Sequence, residues 1–371
     1  MGGPDTVLQI VPHLPGTFDG VGDYALNLAR ALSTSHGITT TFLVAAKTSV
    51  QSRESYAVVS GLSGDLATEV AEKHDHVILH YVNYGYQARG VPFSLRNFAQ
   101  GLRRQLRGRW VTTFHELYAS GPPWKSEFWL RPFQVKIAHD LIDLSDACIV
   151  SNEAIEMEIR AYNARKQLHL VPVMSNFGEP KLADFTAASP KRWAICGGTP
   201  LVNRSLLSFE QIHSSIPPVF FPNHLDVIGG RDTNSTRDIV ERLVRTVPGL
   251  SCHYHPEVTA EEASLLLRQA SFGWLDYFGK SEMTPGMILK STAFAAFCAH
   301  AVIPILSHRE DFLGIEQDPF PGPWYLTSQG ARFPVVNGLH ELREKIYSWY
   351  GAHVASPRLA QRYAEALTAI P

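Results

Sequence analysis

The 371-residue chain is 45% hydrophobic and carries 33 Lys and Arg against 35 Asp and Glu, a formal net charge of -2. This length predicts two domains, and the near-neutral charge argues for a small-molecule substrate and against nucleic acid as a partner. Because neither a leader-like segment nor an apolar run of about 18 residues is present, the sequence predicts a cytoplasmic protein.

Short apolar runs alternate with longer amphipathic segments through the first half. The pattern predicts strands over residues 7–11, 40–45, 76–81, 110–114, 147–150 and 168–171, with helices over 24–32, 95–106, 128–144 and 153–162. Alternation of this kind predicts a parallel sheet covered on both faces.

The periodicity lapses between residues 173 and 192, in a stretch with two prolines and many small residues that is typical of a domain linker. It then resumes, predicting strands over 193–196, 225–228, 251–254, 272–275 and 302–306 and helices over 205–213, 237–247, 260–269 and 290–300. Thr259 and Glu262 form a capping-box pattern at the third of these helices. The chain is therefore expected to hold two doubly wound α/β domains.

The loop after the first predicted strand is rich in glycine. Gly16, Gly20 and Gly22 precede a helix, where backbone amides can approach a phosphate and the helix start favours negative charge. The spacing departs from G-x-G-x-x-G, because Ala25 stands where the third glycine is usual. A dinucleotide site and a turn that serves only the fold both remain open.

Polar and aromatic side chains follow three of the predicted strands. His13 follows the first, Asn83 and Tyr84 follow the third (76–81), and His115 follows the fourth (110–114). The carboxyl ends of strands in open parallel sheets are where ligands bind, and aromatic faces and amides suit sugars. We expect His115 to contact the substrate, and His13, Asn83 and Tyr84 to contact the acceptor or a sugar. The alternative for each is a packed or hydrogen-bonded turn residue.

Three segments resemble glycosyltransferase family 4. DGVGDYALNLARAL is similar to the G-G-[IV]-G-x-[YH] segment of that family, TTFHEL to its strand ending in His-Asp or His-Glu, and SDACIVSNEA to a later strand. The resemblance implies a GT-B fold, in which two Rossmann-like domains face a cleft. It places an acceptor-side domain at 1–180, a donor domain at 181–338, and helices over 339–371 that cross back to the first domain.

The same resemblance implies a retaining hexosyltransferase that uses a nucleotide diphosphate sugar, with no cofactor and no metal. It implies His115, Glu116 and Glu282 as catalytic residues. No D-x-D pair, which marks metal-dependent GT-A enzymes, occurs in the chain. A catalytically silent sugar-nucleotide-binding protein and a nucleotide-sugar epimerase on the same fold are the alternatives.

The second half departs from the family pattern. Thr199 stands where the diphosphate-binding Arg is usual, and Glu282 is followed eight residues later by Lys290 instead of the second Glu of E-x7-E. The chain is therefore similar to a divergent member.

We expect the donor diphosphate near Lys290, Ser291 and Thr292, because a helix N-terminus adds unpaired amides to a cation and hydroxyls. Gly20 and Gly22 are expected on the opposite lip, with Arg204 within reach. The alternative is that Lys290 is a solvated helix residue.

Six arginines and no acid or lysine lie between residues 76 and 115, around a helical stripe of Leu95, Phe98, Leu102 and Leu106. The basic helix Arg96 to Arg107 could rest on an anionic lipid surface or meet an anionic acceptor, or could be a solvated face. The expected partners are a small-molecule donor and a sugar-containing or lipid-linked acceptor, with no nucleic acid, at most peripherally at the inner face of a membrane.

Overall fold

The computed structural model describes residues 5–15, 20–119, 121–181, 189–277 and 285–369. The chain divides into two compact units, one formed by residues 1–172 with 356–371 and the other by residues 173–355. We call them unit 1 and unit 2. Each is an α/β unit built on a mostly parallel sheet.

Unit 1 alternates strands and helices. Its strands are β1 (Thr6–Val11), β2 (Thr39–Val44), β3 (Ser52–Arg53), β4 (Tyr56–Ser60), β5 (His76–Tyr81), β6 (Trp110–Phe114), β7 (Ala147–Val150) and β8 (Gln167–Leu170). Its helices are α1 (Gly20–His36), α2 (Gly64–Lys73), α3 (Asn83–Tyr86), α4 (Phe93–Arg103), α5 (Ser126–Leu144), α6 (Glu153–Tyr162) and α12 (Ser356–Thr368), the last numbered in chain order.

The sheet of unit 1 has the order β3-β4-β2-β1-β5-β6-β7-β8. Among the described strands of this sheet, only the β3–β4 pair is antiparallel. Strands β1, β5, β6 and β7 are almost wholly buried, as expected for parallel strands covered by helices on both faces. Because β2 and β5 flank β1 on opposite sides, the strand order reverses between β1 and β5, which is the usual position of a ligand crevice in such sheets.

Unit 2 repeats this plan. Its strands are β9 (Arg192–Cys196), β10 (His224–Ile228), β11 (Ser251–His255), β12 (Phe272–Leu275), β13 (Ile303–Leu306), β14 (Gly314–Ile315), β15 (Asp318–Pro319), β16 (Trp324–Thr327) and β17 (Gly330–Arg332). Its α-helices are α7 (Thr199–Ile212), α8 (Asn234–Thr246), α9 (Ala260–Gln269), α10 (Thr292–Ala299) and α11 (Leu339–His353).

The main sheet of unit 2 has the order β11-β10-β9-β12-β13-β16-β17, and its order reverses between β9 and β12. The capping box predicted for α9 is present. The Thr259 side chain accepts from the Glu262 backbone N–H, and the Glu262 side chain accepts from the Thr259 backbone N–H. A 3-10 helix over Pro285–Lys290 leads into α10, which is shorter at its start than the helix predicted from residue 290.

The two C-terminal helices belong to different units. We expected both to lie in the N-terminal domain, but α11 packs on α10 within unit 2, and only α12 lies in unit 1, against α1. The reason is burial: Ile346, Trp349 and Tyr350 of α11 join the hydrophobic core of unit 2. The expected return to the N-terminal domain therefore begins at Ser356 instead of 339.

Candidate functional site

The carboxyl ends of three neighbouring strands in unit 1 carry the residues singled out in the sequence. Strand β5 pairs with β1 on one side and with β6 on the other. His13 follows β1, Asn83 follows β5, and His115 follows β6, with its backbone N–H donated to the Tyr81 carbonyl at 3.0 Å. The topology thus places all three at the end of the sheet where ligands bind in open α/β folds.

These residues differ in exposure. His13, Glu116 and Tyr84 are exposed, His115 is half-buried, and Asn83 is buried. The Asn83 side-chain oxygen accepts the Tyr84 backbone N–H at 3.0 Å, so it shapes the start of α3. The Tyr84 hydroxyl lies 3.4 Å from the Gln134 amide nitrogen. Tyr84, His13, His115 and Glu116 are therefore the members of the set that a ligand can reach without rearrangement.

A buried polar chain lies directly beneath His115. His115 Nε2 is 3.3 Å from His80 Nδ1, and His80 Nε2 is 2.8 Å from Gln9 Oε1. Burial lowers the pKa of His80 well below its usual value, and the neighbouring His115 lowers it further. Gln9 and His80 are both fully buried, so this chain reaches from the strand end into the interior of the sheet.

Three hydroxyls adjoin that chain. The Tyr24 ring packs edge-on against both imidazoles, with ring centroids 5.8 Å from His80 and 5.2 Å from His115. The Tyr24 hydroxyl is 3.1 Å from the Tyr363 hydroxyl, which is 2.6 Å from Thr113 Oγ1. Helix α12 is thereby tied to the polar interior beneath the site.

The sequence analysis did not single out Gln9, His80 or Tyr363. A local pattern marks the first two: each is the only polar residue in an otherwise apolar strand core, LQIV in one case and ILHY in the other. A buried polar residue in such a run requires a partner, because an unpaired polar group in the interior is costly. Gln9 and His80 could have been identified from the sequence as buried polar residues that need a hydrogen-bond partner.

The glycines near α1 are only partly described. Gly16 lies outside the described residues, whereas Gly20 is exposed at the first position of α1 and Gly22 is buried in its first turn. A Cβ atom added at Gly20 would meet no atom within 4 Å, so packing does not require glycine there. Glycine at this position would still let a ligand approach the backbone closely.

In unit 2 the predicted donor residues lie at the start of α10. Ser291 is the N-cap, and its buried hydroxyl accepts the Phe294 backbone N–H at 3.2 Å. Lys290, the last residue of the 3-10 helix, and Thr292, the first residue of α10, are half-buried. The Ser291 hydroxyl thus already binds the Phe294 amide, while the backbone amides of Thr292 and Ala293 have no acceptor within α10.

Arg204 lies on α7 and donates to the carboxyl end of β12. Its Nε and Nη2 each lie 2.6 Å from a backbone oxygen, of Asp276 and Tyr277 respectively. These bonds anchor the chain just before residues 278–284, which lie outside the described residues and include the predicted catalytic Glu282. The position of Glu282 is therefore not described.

Polar residues that the sequence analysis missed gather at the carboxyl ends of β12 and β13. Ser307 Oγ is 2.5 Å from Asp276 Oδ1, and His308 Nε2 is 3.8 Å from Glu310 Oε2. Burial lowers the pKa of His308 to about 4, and burial also raises the pKa of the Glu310 carboxyl. The segment SHRED, directly after the apolar strand IPIL, is the local feature that marks Ser307, His308 and Glu310.

Part of the positive charge of the predicted basic helix is paired within unit 1. The stripe Leu95, Phe98, Leu102 and Leu106 is buried, as predicted. Arg96 Nε lies 2.6 Å from Asp140 Oδ2, Arg103 pairs with Asp146, and Arg109 bonds Gln167. Three of the six arginines therefore hold helices and strands of unit 1 together, whereas Arg104 and Arg107 are exposed. A role of this helix at an anionic surface stays a prediction beside the alternative of a solvated face.

Within the described ranges, no helix is both long and apolar enough to cross a membrane. No cluster of three or more His, Cys, Asp or Glu side chains in that part of the chain has the arrangement needed to hold a metal ion.

No family model and no curated protein matches this chain in sequence. Solved structures match it over nearly its whole length. A glycosyltransferase from Rickettsia africae matches with a TM-score of 0.61 at 10% identity, covering 99% of this chain and 100% of its own. A glycosyltransferase involved in avilamycin A biosynthesis matches with a TM-score of 0.55 at 14% identity, covering 98% and 96%.

An alpha-glucosyltransferase in complex with UDP and a 13-mer DNA that contains a central A:G mismatch also matches. Its TM-score is 0.60 at 12% identity, with 99% of this chain and 100% of that chain covered. The expectation that nucleic acid is excluded as a partner is therefore wrong, because net charge alone does not exclude DNA for a chain whose structural neighbours include a DNA-bound transferase. The chain has the GT-B fold of two Rossmann-like units, which it shares with glycosyltransferases along its whole length.

Proposed function

We propose that this chain is a glycosyltransferase that moves a sugar from a nucleotide diphosphate sugar to an acceptor hydroxyl. The observation that carries the proposal is the grouping of His13, Tyr84 and His115 at the carboxyl ends of β1, β5 and β6, at the strand-order reversal of unit 1. The full-length fold match to glycosyltransferases, one of them bound to UDP, supports it.

We assign the donor diphosphate to unit 2, at the start of α10. The Lys290 ammonium, the Thr292 hydroxyl and the backbone amides of the first helical turn together offer positive charge and donors to a phosphate. Arg204 supports this region by holding the carbonyls of Asp276 and Tyr277. Gly20 and Gly22 remain the phosphate-binding candidates of unit 1.

We assign the sugar hydroxyls and the acceptor to unit 1, where His115, His13 and Tyr84 offer an imidazole, a second imidazole and an aromatic ring. In this proposal Glu116, which is exposed beside His115, accepts a hydrogen bond from a substrate hydroxyl. Glu282 keeps the catalytic role that the family resemblance implies.

The proposed reaction retains the anomeric configuration. The bond between the sugar C1 and the diphosphate oxygen breaks, the acceptor oxygen bonds to C1 on the same face, and the acceptor proton passes to the departing diphosphate. Catalysis is then mainly orientation and stabilisation of leaving-group charge. His115 orients the sugar and is not the base.

The experiment is a screen of UDP-, GDP- and ADP-sugars with the purified chain. Consumption of the donor is measured as the release of the nucleoside diphosphate. NMR of the transferred sugar then gives its anomeric configuration. Release of a nucleoside diphosphate with a retained product is expected. An inverted product, or activity abolished by a chelator, would overturn the mechanism while leaving the transferase proposal intact.

One observation favours a second candidate, a catalytically silent protein that binds a sugar nucleotide. Lys290 stands where the resembled family has its second Glu, so one of the contacts to the nucleotide differs. Thermal shift with nucleotides separates the two: binding of a donor without hydrolysis or transfer in any acceptor mixture would favour the silent protein.

DNA belongs among the acceptors tested, because some of the structures that share this fold hold DNA together with UDP or UDP-glucose. A short duplex incubated with the chain and its best donor should gain the mass of one sugar if DNA is the acceptor. The same duplex without donor is the control. An unchanged mass, together with transfer to a small glycoside acceptor, would remove DNA from the proposal.

A further inference from the structure

A buried polar chain lies beneath His115 and contacts one of its two ring nitrogens. Its members are His115, His80, Gln9 and Thr40, all within unit 1. Because an imidazole nitrogen either donates or accepts a hydrogen bond, the partner at one end of such a chain fixes the proton positions along it. In this chain the Gln9 amide has that role, because the Thr40 hydroxyl beyond it can both donate and accept.

The first step is the protonation state of His80. This ring has no exposed surface and is bordered by Gln9, His115 and Tyr24. Among the described residues, no carboxylate is hydrogen-bonded to it, and burial strongly disfavours the imidazolium, lowering the pKa of His80 well below its usual value. His80 is therefore neutral near pH 7, with one N–H and one lone pair.

The second step is the Gln9 amide. Its nitrogen lies 3.4 Å from Thr40 Oγ1, and its oxygen lies 2.8 Å from His80 Nε2. A carbonyl oxygen only accepts, so His80 Nε2 must donate and carry the proton. The lone pair of His80 is then on Nδ1.

The third step transfers this constraint to His115. His80 Nδ1, now an acceptor, is 3.3 Å from His115 Nε2, so the His115 proton lies on Nε2. The two rings are nearly parallel, with an interplanar angle of 22°. The Tyr24 ring stands edge-on to both, at 73° and 84°, and limits their rotation.

We propose that Gln9 and His80 are positioning residues that hold His115 in the neutral tautomer with its proton on Nε2. In that tautomer Nδ1 is a hydrogen-bond acceptor, which matches a hydroxyl group of the sugar or acceptor and not a phosphate or carbonyl oxygen. The role in substrate binding rests on the proposed transferase function, whereas the tautomer assignment does not.

The direct test is the pattern of long-range nitrogen–proton correlations from the histidine rings of the unaltered, nitrogen-15-labelled chain at about pH 7.5. Spectra of the His80→Asn and His115→Asn proteins assign the two rings. Both rings are expected to show a protonated Nε2 and an unprotonated Nδ1. A protonated Nδ1 in either ring overturns the proposal, because it would mean that the Gln9 amide donates to His80.

A second test uses Gln9→Glu to reverse the donor and acceptor roles along the hydrogen bonds from Gln9 through His80 to His115. A carboxylate next to His80 favours the imidazolium, whose Nδ1–H then donates to His115 and forces the His115 proton onto Nδ1. The kcat is expected to fall about tenfold to a hundredfold, with the KM for the donor changing less than threefold. Gln105→Glu makes the same chemical change at an exposed position of unit 1 and is the matched control.

The outcomes separate the two proposals. An inverted His115 tautomer in the Gln9→Glu protein with wild-type kcat would overturn the positioning role. A chain with the expected tautomers but no transfer with any donor would overturn the proposed function and leave the tautomer assignment standing. If Gln9→Glu does not fold, the spectra of the unaltered chain still decide the assignment.

Discussion

At the scale of single residues, His115 is the side chain whose removal separates orientation from binding. Its imidazole is proposed to place a sugar hydroxyl, and correct placement matters most in the transition state. We expect His115→Ala to lower kcat about tenfold to a hundredfold while the donor Kd changes less than threefold. His36→Ala, at the exposed C-terminal end of α1, is the control. Wild-type turnover would remove His115 from the mechanism.

Lys290 is the corresponding residue of unit 2, half-buried at the start of α10. If its ammonium bonds the donor diphosphate, Lys290→Ala should weaken binding of UDP, or of the preferred nucleoside diphosphate, by about 1 to 3 kcal/mol. Isothermal titration calorimetry measures this difference. Lys345→Ala removes an exposed lysine of α11 from the same unit and should leave binding unchanged. Equal binding by both variants would exclude Lys290 as a ligand.

At the scale of elements, α10 is followed by a C-cap histidine, His300, whose burial makes the stability of unit 2 depend on pH. His300 has no exposed surface, with Nδ1 2.7 Å from the Ala296 carbonyl and Nε2 2.9 Å from Ser264 Oγ. Burial lowers the pKa of His300 from 6.5 to about 4. In the unfolded chain His300 therefore binds a proton below about pH 6.5, whereas in the folded chain it binds that proton only below about pH 4.

It follows that this group stabilises the fold less as the pH falls from about 6.5 towards about 4. Between about pH 7.5 and about pH 5.5, the free energy of unfolding should fall by about 1 kcal/mol more for the wild type than for His300→Gln. Urea titrations followed by tryptophan fluorescence measure it. Equal pH dependence of the two proteins would contradict the assignment of this loss to His300.

The elements that the sequence predicted well are those whose physical environment leaves a clear pattern. Strands β5, β6 and β7 were predicted with the bounds the structure has, because buried parallel strands are continuous apolar runs. The antiparallel strand β3 and the short strands β14 and β15 were missed, since runs of two residues carry no period.

The site divides in the same way. The position of His115 could be predicted, because a strand end followed by a polar residue is visible in the sequence. The pairing of His80 with Gln9 could not be predicted, because it requires β1 and β5 to be neighbours in the sheet. Along the chain, β2, β3 and β4 lie between these two strands. Tyr363 was beyond prediction for a stronger reason: it reaches Thr113 across 250 positions of sequence.

At the scale of the whole molecule, unit 1 is discontinuous: residues 173–355 are inserted between α6 with β8 and the closing helix α12. Helix α12 packs on α1 and buries Leu359, Tyr363 and Leu367. Helix α12, near the C-terminal end of the sequence, therefore contributes to the same core as α1, near the N-terminal end. Loss of interactions made by α12 should destabilise unit 1 even though the N-terminal sequence is unaltered.

Tyr363→Phe tests this dependence at a single oxygen. The Tyr363 hydroxyl lies 2.6 Å from Thr113 Oγ1 and 3.1 Å from the Tyr24 hydroxyl, and all three residues are buried. Removing it leaves two buried hydroxyls short of a partner, a loss of about 1 to 3 kcal/mol in the free energy of unfolding, measured by urea titration. Tyr162→Phe removes a hydroxyl bonded to Asp143 on the exposed surface of the same unit and should cost less than about 1 kcal/mol, because water replaces the lost partner there. If both variants lose the same amount, the buried contact of α12 contributes nothing beyond an ordinary surface bond, and the closing helix does not hold unit 1 through this hydroxyl.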